Sequence, residues 1–195
     1  MKLNRVLVVY KKHIGGSGRG GRSGGGKHAP WQRRHDDARD EVLRTLSSLQ
    51  INCRLIDRRN LKPGQRADLI VTLGGDGTVL AAAHAAGRVP ILGVNTMPGR
   101  SVGFFCAVTS ESLERKLLKI TSGKLKAVEL PLIEAAIDGR AVGVPALNDV
   151  LYAGSSAAEM MRYRIQIDGK SERQRSSGLW ISAGPGSTAA NLAAG

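Results

Sequence analysis

Cysteine and aromatic residues are scarce in this chain. Two cysteines occur in 195 residues, Cys53 and Cys106, and their spacing matches no metal-binding pattern. The plain expectation is free thiols in a reducing compartment, and so a cytoplasmic protein. The histidines (His13, His28, His35, His84) form no ligand pair at helical spacing. Aromatics make up 4% of the residues, which argues against an aromatic-rich β-sandwich and for helices packed on a sheet with tight turns. No apolar run approaches the ~20 residues of a membrane helix, so no membrane partner is expected. Acidic residues are absent before Asp36. An acid-free, Arg-rich beginning has the composition of a transit peptide, but residues 3–10 read as a core strand that a removable leader would not carry.

Glycine and positive charge are abundant. There are 25 glycines, and the formal net charge is +13. Residues 1–66 carry 16 Lys and Arg against 5 Asp and Glu, whereas residues 67–195 carry 13 against 11. A basic front of this kind attracts polyanions in general and names no partner. The length allows one full domain, or one domain and part of another, with a real core.

Along the chain, residues 5–10 (RVLVVY) form a β-branched apolar run, a buried strand. Residues 36–50 predict an amphipathic helix with Ala38, Val42, Leu46 and Leu49 on one face, and Asp36, Asp37, Asp40 and Glu41 in its first turns. Residues 53–57 are a short strand, 67–77 a strong strand running into a turn, 78–87 a short helix stopped by Gly87, and 90–95 another strand. Residues 110–123 carry an N-terminal capping pattern and end at Gly123. This alternation predicts an α/β domain with a mainly parallel sheet, Rossmann-like, over residues 1–125. From residue 126 to 195 the pattern becomes all-β. A hairpin is expected around Asp138-Gly139, with further strands at 163–169 and 178–184 and no helix.

Two segments compete as a phosphate site. The glycine tract 15–28 contains Gly21, Gly26 and Lys27 at P-loop spacing. The next residue should be Ser or Thr, to place a hydroxyl on Mg²⁺, and here it is His28. Pro30 and the polar residues to Asp37 also separate the tract from the expected helix start. The tract therefore reads as a basic surface loop. Its alternative is a loop closing over a polyanion with Arg19, Arg22 and Lys27. The better candidate is LGGDGTVLAAAH, residues 73–84, which follows the strongest strand and opens a helix. Gly74, Gly75 and Gly77 allow close backbone approach, and the helix start offers N–H groups to an anion. Asp76 among them is electrostatically odd for a bare phosphate site. It makes sense as a Mg²⁺ contact or as acceptor of a proton from an attacking hydroxyl.

The motif GGDGT with three further segments resembles the NAD kinase family. GVNTMPGRSVGFFC (93–106) resembles that family's second conserved segment, especially in the mitochondrial-type branch. ALNDV (146–150) resembles its Asn-Glu/Asp motif, and SSGLWISAGPGSTAAN (176–191) its glycine-rich segment. The VLVVYKK run near the start also fits that branch. The resemblance implies a phosphotransferase that moves a phosphoryl group from ATP, or from polyphosphate in some members, to the 2′-hydroxyl of the adenosine ribose of NAD. It implies Mg²⁺ brought with ATP, no separate protein metal site, and an α/β domain followed by a β-sandwich-like domain. It also implies a homo-oligomer. Carried onto this sequence, Asp76 is the implied base and NAD contact. Gly75, Gly77 and Thr78 line the phosphate side, and Asn95 joins the nucleotide-binding set. Asn148 and Asp149, expected as a buried pair, bind ribose or amide groups. Gly186, Ser187, Thr188 and Ala189 lie against the nucleotide.

Departures from the family pattern are Met97 for an acid, Pro185 for Ser or Thr, Ala190 for an aromatic, and Ser177 for Asp, the last tolerated in the mitochondrial-type branch. The family continues well past the position of Gly195, so the chain reads as a C-terminally truncated member with an incomplete all-β domain. Two other readings share parts of the pattern. A lipid kinase with the same GGDGT loop leaves LNDV without a role and calls for a membrane-facing patch. A non-catalytic nucleotide- or polyanion-binding protein would be indifferent to Asp76 and steeply salt-dependent. Nucleic acid is not the expected partner.

Overall fold

The computed structural model describes residues 2–12, 29–156 and 159–188. The glycine tract, with Arg19, Arg22 and Lys27, lies outside the described residues, as do Ala189 and Ala190. The chain divides into two compact units, Met1–Val128 and Glu129–Gly195.

The first unit is built on a sheet of strands β1 (Val6–Tyr10), β2 (Cys53–Asp57), β3 (Leu69–Gly74), β4 (Ile91–Asn95) and β5 (Cys106–Val108). Their order is β2-β1-β3-β4-β5, and every neighbouring pair is parallel. Among the described residues three helices accompany it: α1 (Pro30–Ser48), α2 (Asp76–Ala86) and α3 (Leu113–Thr121). Strand β3 lies between β1 and β4 and is buried along its whole length. A strand covered on both faces reads as a near-continuous apolar run, which is why LIVTLG shows no polar alternation.

Successive side chains of a strand point to opposite faces, and this sorts the core into two layers. Val6, Val8, Val71, Leu73 and Val94 cluster with Val42 and Leu46 of α1 and with Leu113 and Leu117 of α3. On the other face Leu7, Val9 and Ile70 cluster with Ala82 and Ala86 of α2. Complete burial of one such Val or Leu contributes about 1.5–3 kcal/mol. The α/β parallel fold expected from the sequence is therefore present, doubly wound, with helices on both faces.

Three local expectations need correction. Helix α1 begins at Pro30, six residues before the predicted start. Proline's fixed φ suits the first helical position, and the Gln32 side chain accepts from the Ala29 N–H at 2.8 Å, closing the helix start. The polar stretch between the glycine tract and the predicted helix start is thus the first turns of that helix. Asp36, Asp37, Asp40 and Glu41 consequently sit mid-helix, where Arg39 pairs with Asp36 and Asp40, each at 2.9 Å. Strand β5 was not foreseen, because three residues inside a glycine-rich segment carry no readable period. At α3, Ser112 hydrogen-bonds back to Thr109 rather than capping the helix.

The second unit is made of antiparallel pairs. These are β6 (Ala136–Ile137) with β7 (Arg140–Ala141), β9 (Met161–Ile167) with β10 (Lys170–Ser176), and β8 (Asp149–Ala153) with β11 (Gly178–Ser182). The Asp138-Gly139 hairpin forms where expected, and Asp168-Gly169 makes a second one. Both residues of each turn have positive φ, the two-residue hairpin geometry that matches strand twist. Strand β10 went unseen because KSERQRS has no apolar period; only its pairing with β9 makes it a strand. No α-helix occurs among the described residues of this unit, and a 3₁₀ turn spans Gly184–Thr188. Leu151, Tyr152, Ile167 and Ile181 are exposed on these ribbons.

Candidate active site

The strand order reverses between β1 and β3. In open parallel sheets the crevice at such a reversal, beyond the carboxyl ends of the strands, is where ligands bind. The residue after β3 is Gly75, and α2 opens at Asp76. Gly74 has φ +151°, and a Cβ there would lie 2.5 Å from the Thr78 hydroxyl oxygen. A Cβ on Gly75 would collide with the Ser101 hydroxyl. Gly77 differs: it is exposed, and a Cβ there would meet only Arg58 Nη1, at 3.8 Å. So Gly74 and Gly75 are required for packing, while Gly77 faces open space.

The turn is interlocked with the segment 95–106. Asp76 accepts two backbone hydrogen bonds, from Phe104 N–H to Oδ2 at 3.0 Å and from Phe105 N–H to Oδ1 at 2.8 Å. The Thr96 N–H reaches the Gly74 carbonyl at 3.2 Å. Asn95, nearly buried, braces this segment from within. Its Oδ1 accepts from Met97 N–H at 3.0 Å, and its Nδ2 donates to the Ser101 carbonyl at 3.3 Å. Cys106 stands behind the turn. Burial, reinforced by the Asp76 carboxylate, pushes its thiol up to about 11, so it stays protonated and unreactive. Phe104 is 60% exposed beside Asp76, an apolar plate at the mouth of the turn.

The end of β2 contributes a second group of charges. Asp57 is buried and accepts from the Lys12 and Arg59 backbone N–H groups, at 3.1 and 2.8 Å, and from the Arg59 guanidinium at 3.0 and 2.9 Å. The Arg59 guanidinium first, then these backbone N–H groups, hold the Asp57 carboxyl well below the usual carboxylate range, against the opposing effect of burial. A depressed folded-state pKa means that this stabilisation is complete above the unfolded carboxyl's pKa and disappears as pH falls toward the folded one. Asp57→Asn is therefore expected to lower the melting temperature near neutral pH, and the gap from wild type should narrow as pH drops below about 4. A melting series against pH checks this, and a gap that stays constant would contradict it. Beside this pair, Arg58 Nη1 donates to the Gly77 carbonyl at 3.4 Å.

A cavity of about 580 Å³ opens between α1 and the segment after β4, lined in part by Trp31, Arg34, Thr96, Met97 and Arg100. Its floor is tied by buried His35, whose Nδ1 is hydrogen-bonded to the Thr96 hydroxyl at 2.9 Å.

In the second unit, Asp149 begins β8 opposite Ser182 of β11. The 3₁₀ turn Gly184–Thr188 then folds back so closely that a Cβ on Gly186 would overlap the Asn148 carbonyl. Asn148 and Asp149 are half-buried rather than buried, and Asn148 Nδ2 donates to Asp149 Oδ2 at 2.8 Å. The Ser187 hydroxyl donates to the Gly184 carbonyl at 2.7 Å.

A family model for the ATP-NAD kinase N-terminal domain matches residues 33–125. The NAD kinase of Neisseria meningitidis is 38% identical over 151 residues, covering 74% of this chain and 49% of that protein. The NAD kinase of Cellvibrio japonicus is 36% identical over 138 residues, covering 68% of this chain and 45% of that protein. A crystal structure of an NAD kinase from Archaeoglobus fulgidus in complex with ATP superposes with a TM-score of 0.70 at 26% identity, covering 98% of this chain and 65% of that one.

The chain belongs to the NAD kinase family. It spans about half the length of the curated relatives it matches. Within this NAD kinase fold, the structure brings Gly75, Asp76, Gly77, Thr78 and Asn95 together in the first unit. It brings Asn148, Asp149, Gly186 and Ser187 together in the second, with Thr188 closing the same turn; Ala189 lies outside the described residues. Thr78 is buried and packs under Gly74 rather than facing the crevice. Asn95 uses its amide to hold the loop. Sequence reasoning passed over Arg58 and Phe104. An aromatic inside a glycine-rich loop was the available signal for Phe104; Arg58 had none, since a charged residue after an edge strand is ordinarily solvated.

Proposed function

We propose that this protein is a phosphotransferase that converts NAD to NADP with ATP as donor. The observation that carries the reading is Asp76, a carboxylate locked in plane by two backbone N–H groups at the open helix start of an NAD kinase fold. Each carboxylate oxygen has two lone pairs, so one on each remains for a substrate hydroxyl. In this reading the 2′-oxygen of the adenosine ribose attacks the γ-phosphorus. The new O–P bond forms as the bond to the β,γ-bridging oxygen breaks, its electron pair leaves with ADP, and the hydroxyl proton passes to Asp76. Gly75 and Gly77, with the first N–H groups of α2, receive the phosphates, and Phe104 supplies an apolar surface for the nucleotide.

Among the described residues no three His, Cys, Asp or Glu side chains converge on a metal-sized point. Magnesium is taken as part of the substrate, carried on the triphosphate, where it would spread the charge of the transferring group. The proposal assigns NAD contacts to Asn148, Asp149, Gly186, Ser187, Thr188 and Ala189, and places the protein in the cytoplasm, within the mitochondrial-type branch, as a homo-oligomer. No helix of the described residues is long and apolar enough to cross a membrane.

The direct test is NADP formation from NAD and Mg-ATP by purified protein; a folded preparation without turnover would sink the reading. Gly77→Ala adds a sharper check. A methyl there meets only Arg58 at 3.8 Å, so folding is unharmed, and alanine loses less backbone freedom than glycine at this helix start. The same methyl stands where phosphate would approach. The melting temperature is expected to hold or rise while KM for ATP increases about tenfold or more. An unchanged KM would place the phosphates elsewhere.

A further inference from the structure

We propose that Arg58 is a donor-binding residue, whose guanidinium holds the phosphate chain of the nucleoside triphosphate at the Gly-Gly-Asp-Gly turn. The inference rests on the phosphotransferase reading above and assigns it a cation that the recognised motifs do not include.

Arg58 opens the 3₁₀ turn that leaves β2, the edge strand on the far side of β1 from β3. Its Nη1 nevertheless reaches the Gly77 carbonyl in the first turn of α2. The side chain therefore crosses the carboxyl end of β1 and lies over the reversal point of the sheet, where a ligand of this fold binds.

Two arginines stand side by side, and they are used differently. Arg59 is committed to Asp57 through two of its nitrogens, at 3.0 and 2.9 Å. Arg58 has no acid partner among the described residues, and the one hydrogen bond its guanidinium makes among them is a long 3.4 Å. Most of its five N–H donors remain available. The acid on the other side of the turn, Asp76, repels phosphate. A guanidinium bonded to the Gly77 carbonyl offsets that repulsion at the point where the phosphate chain must pass.

Asp57 accepts from the backbone of both Lys12 and Arg59, tying the 3₁₀ turn to the end of β1. The backbone that carries Arg58 is thus held before a ligand arrives, and less freedom is lost on binding. A planar guanidinium suits bidentate contact with two phosphate oxygens, which a lysine ammonium does not reproduce.

The test is calorimetric titration of wild type, Arg58→Gln and Arg58→Lys with Mg-ATP, Mg-ADP and adenosine, beside thermal melts. Glutamine removes the charge and, two bonds shorter, leaves the exposed Gly77 carbonyl to water. Arg58→Gln is expected to weaken ATP about tenfold or more and leave adenosine binding unchanged, with Arg58→Lys in between. In the assay, KM for ATP should rise while KM for NAD stays constant. Equal losses for ATP and adenosine, or a melting temperature that falls in step with affinity, would mark Arg58 as structural and overturn the proposal. So would an unchanged ATP affinity in Arg58→Gln. If wild type binds adenosine and ATP equally, or neither, the phosphate site at this turn falls with it. That failure is distinct from one confined to the variant.

Discussion

Asp76→Asn is expected to lower NADP formation by about a hundred- to ten-thousand-fold, the range associated with loss of a positioned proton acceptor. The structure adds a complication that isosterism hides. Both carboxylate oxygens accept backbone N–H groups, from Phe104 and Phe105. An asparagine accepts at one oxygen only and turns its NH₂ against the other N–H. Leaving that N–H unsatisfied costs about 1–3 kcal/mol. The variant should therefore melt earlier as well as turn over more slowly. ATP affinity separates the two effects. Turnover lost with ATP binding retained marks Asp76 as the proton acceptor. Turnover and ATP binding lost together mark it as a brace for residues 104–105. An active Asp76→Asn enzyme would remove Asp76 from the chemistry.

Gly186→Ala should be the most damaging single-methyl change in the second unit. The added carbon would occupy the place of the Asn148 carbonyl, which is main chain and cannot rotate aside. The cost is expected at or above the ~3 kcal/mol upper end of ordinary overpacking. The turn Gly184–Thr188 would separate from Asn148 and Asp149, and NAD binding would be lost. Gly184→Ala is the matched control, because a Cβ there meets nothing within 4 Å. NAD titrations and thermal melts of both variants check the contrast. Equal behaviour would mean that the close approach of the two segments is dispensable.

The elements of the first unit were largely legible where a local period or a local stop signal existed. RVLVVY and LIVTLG read as strands because their apolar character comes from burial in a sheet, whereas CRLID, at the sheet edge, is exposed over most of its length. Gly87 and Gly123 ended their helices as the motif chemistry suggests. The start of α1 was misplaced because Pro30 resembles a break until its position as the first helical residue is known. Strand β5 and strand β10 carried no period, one through brevity and the other through polarity. Asn148 and Asp149 were singled out as a pair, yet their partial exposure and mutual hydrogen bond depend on which strand lies opposite.

The candidate site divides in the same way. The glycines of GGDGT, the acid among them and the helix behind them are neighbours in the chain, so their spacing shows in the sequence. The contacts that give Asp76 its orientation come from 28 and 29 residues away. Arg58 meets Gly77 across 19 residues and a whole strand. Gly186 meets Asn148 by way of the β8–β11 pairing. Those meetings follow from strand order and register, properties of the folded chain that side-chain periodicity does not encode. A run of residues specifies its own backbone and its own buried face through local sterics and apolar spacing. Which run it lies against is decided by burial summed over the whole sheet, and the Asp76 and Arg58 contacts exist only once that sum has been made.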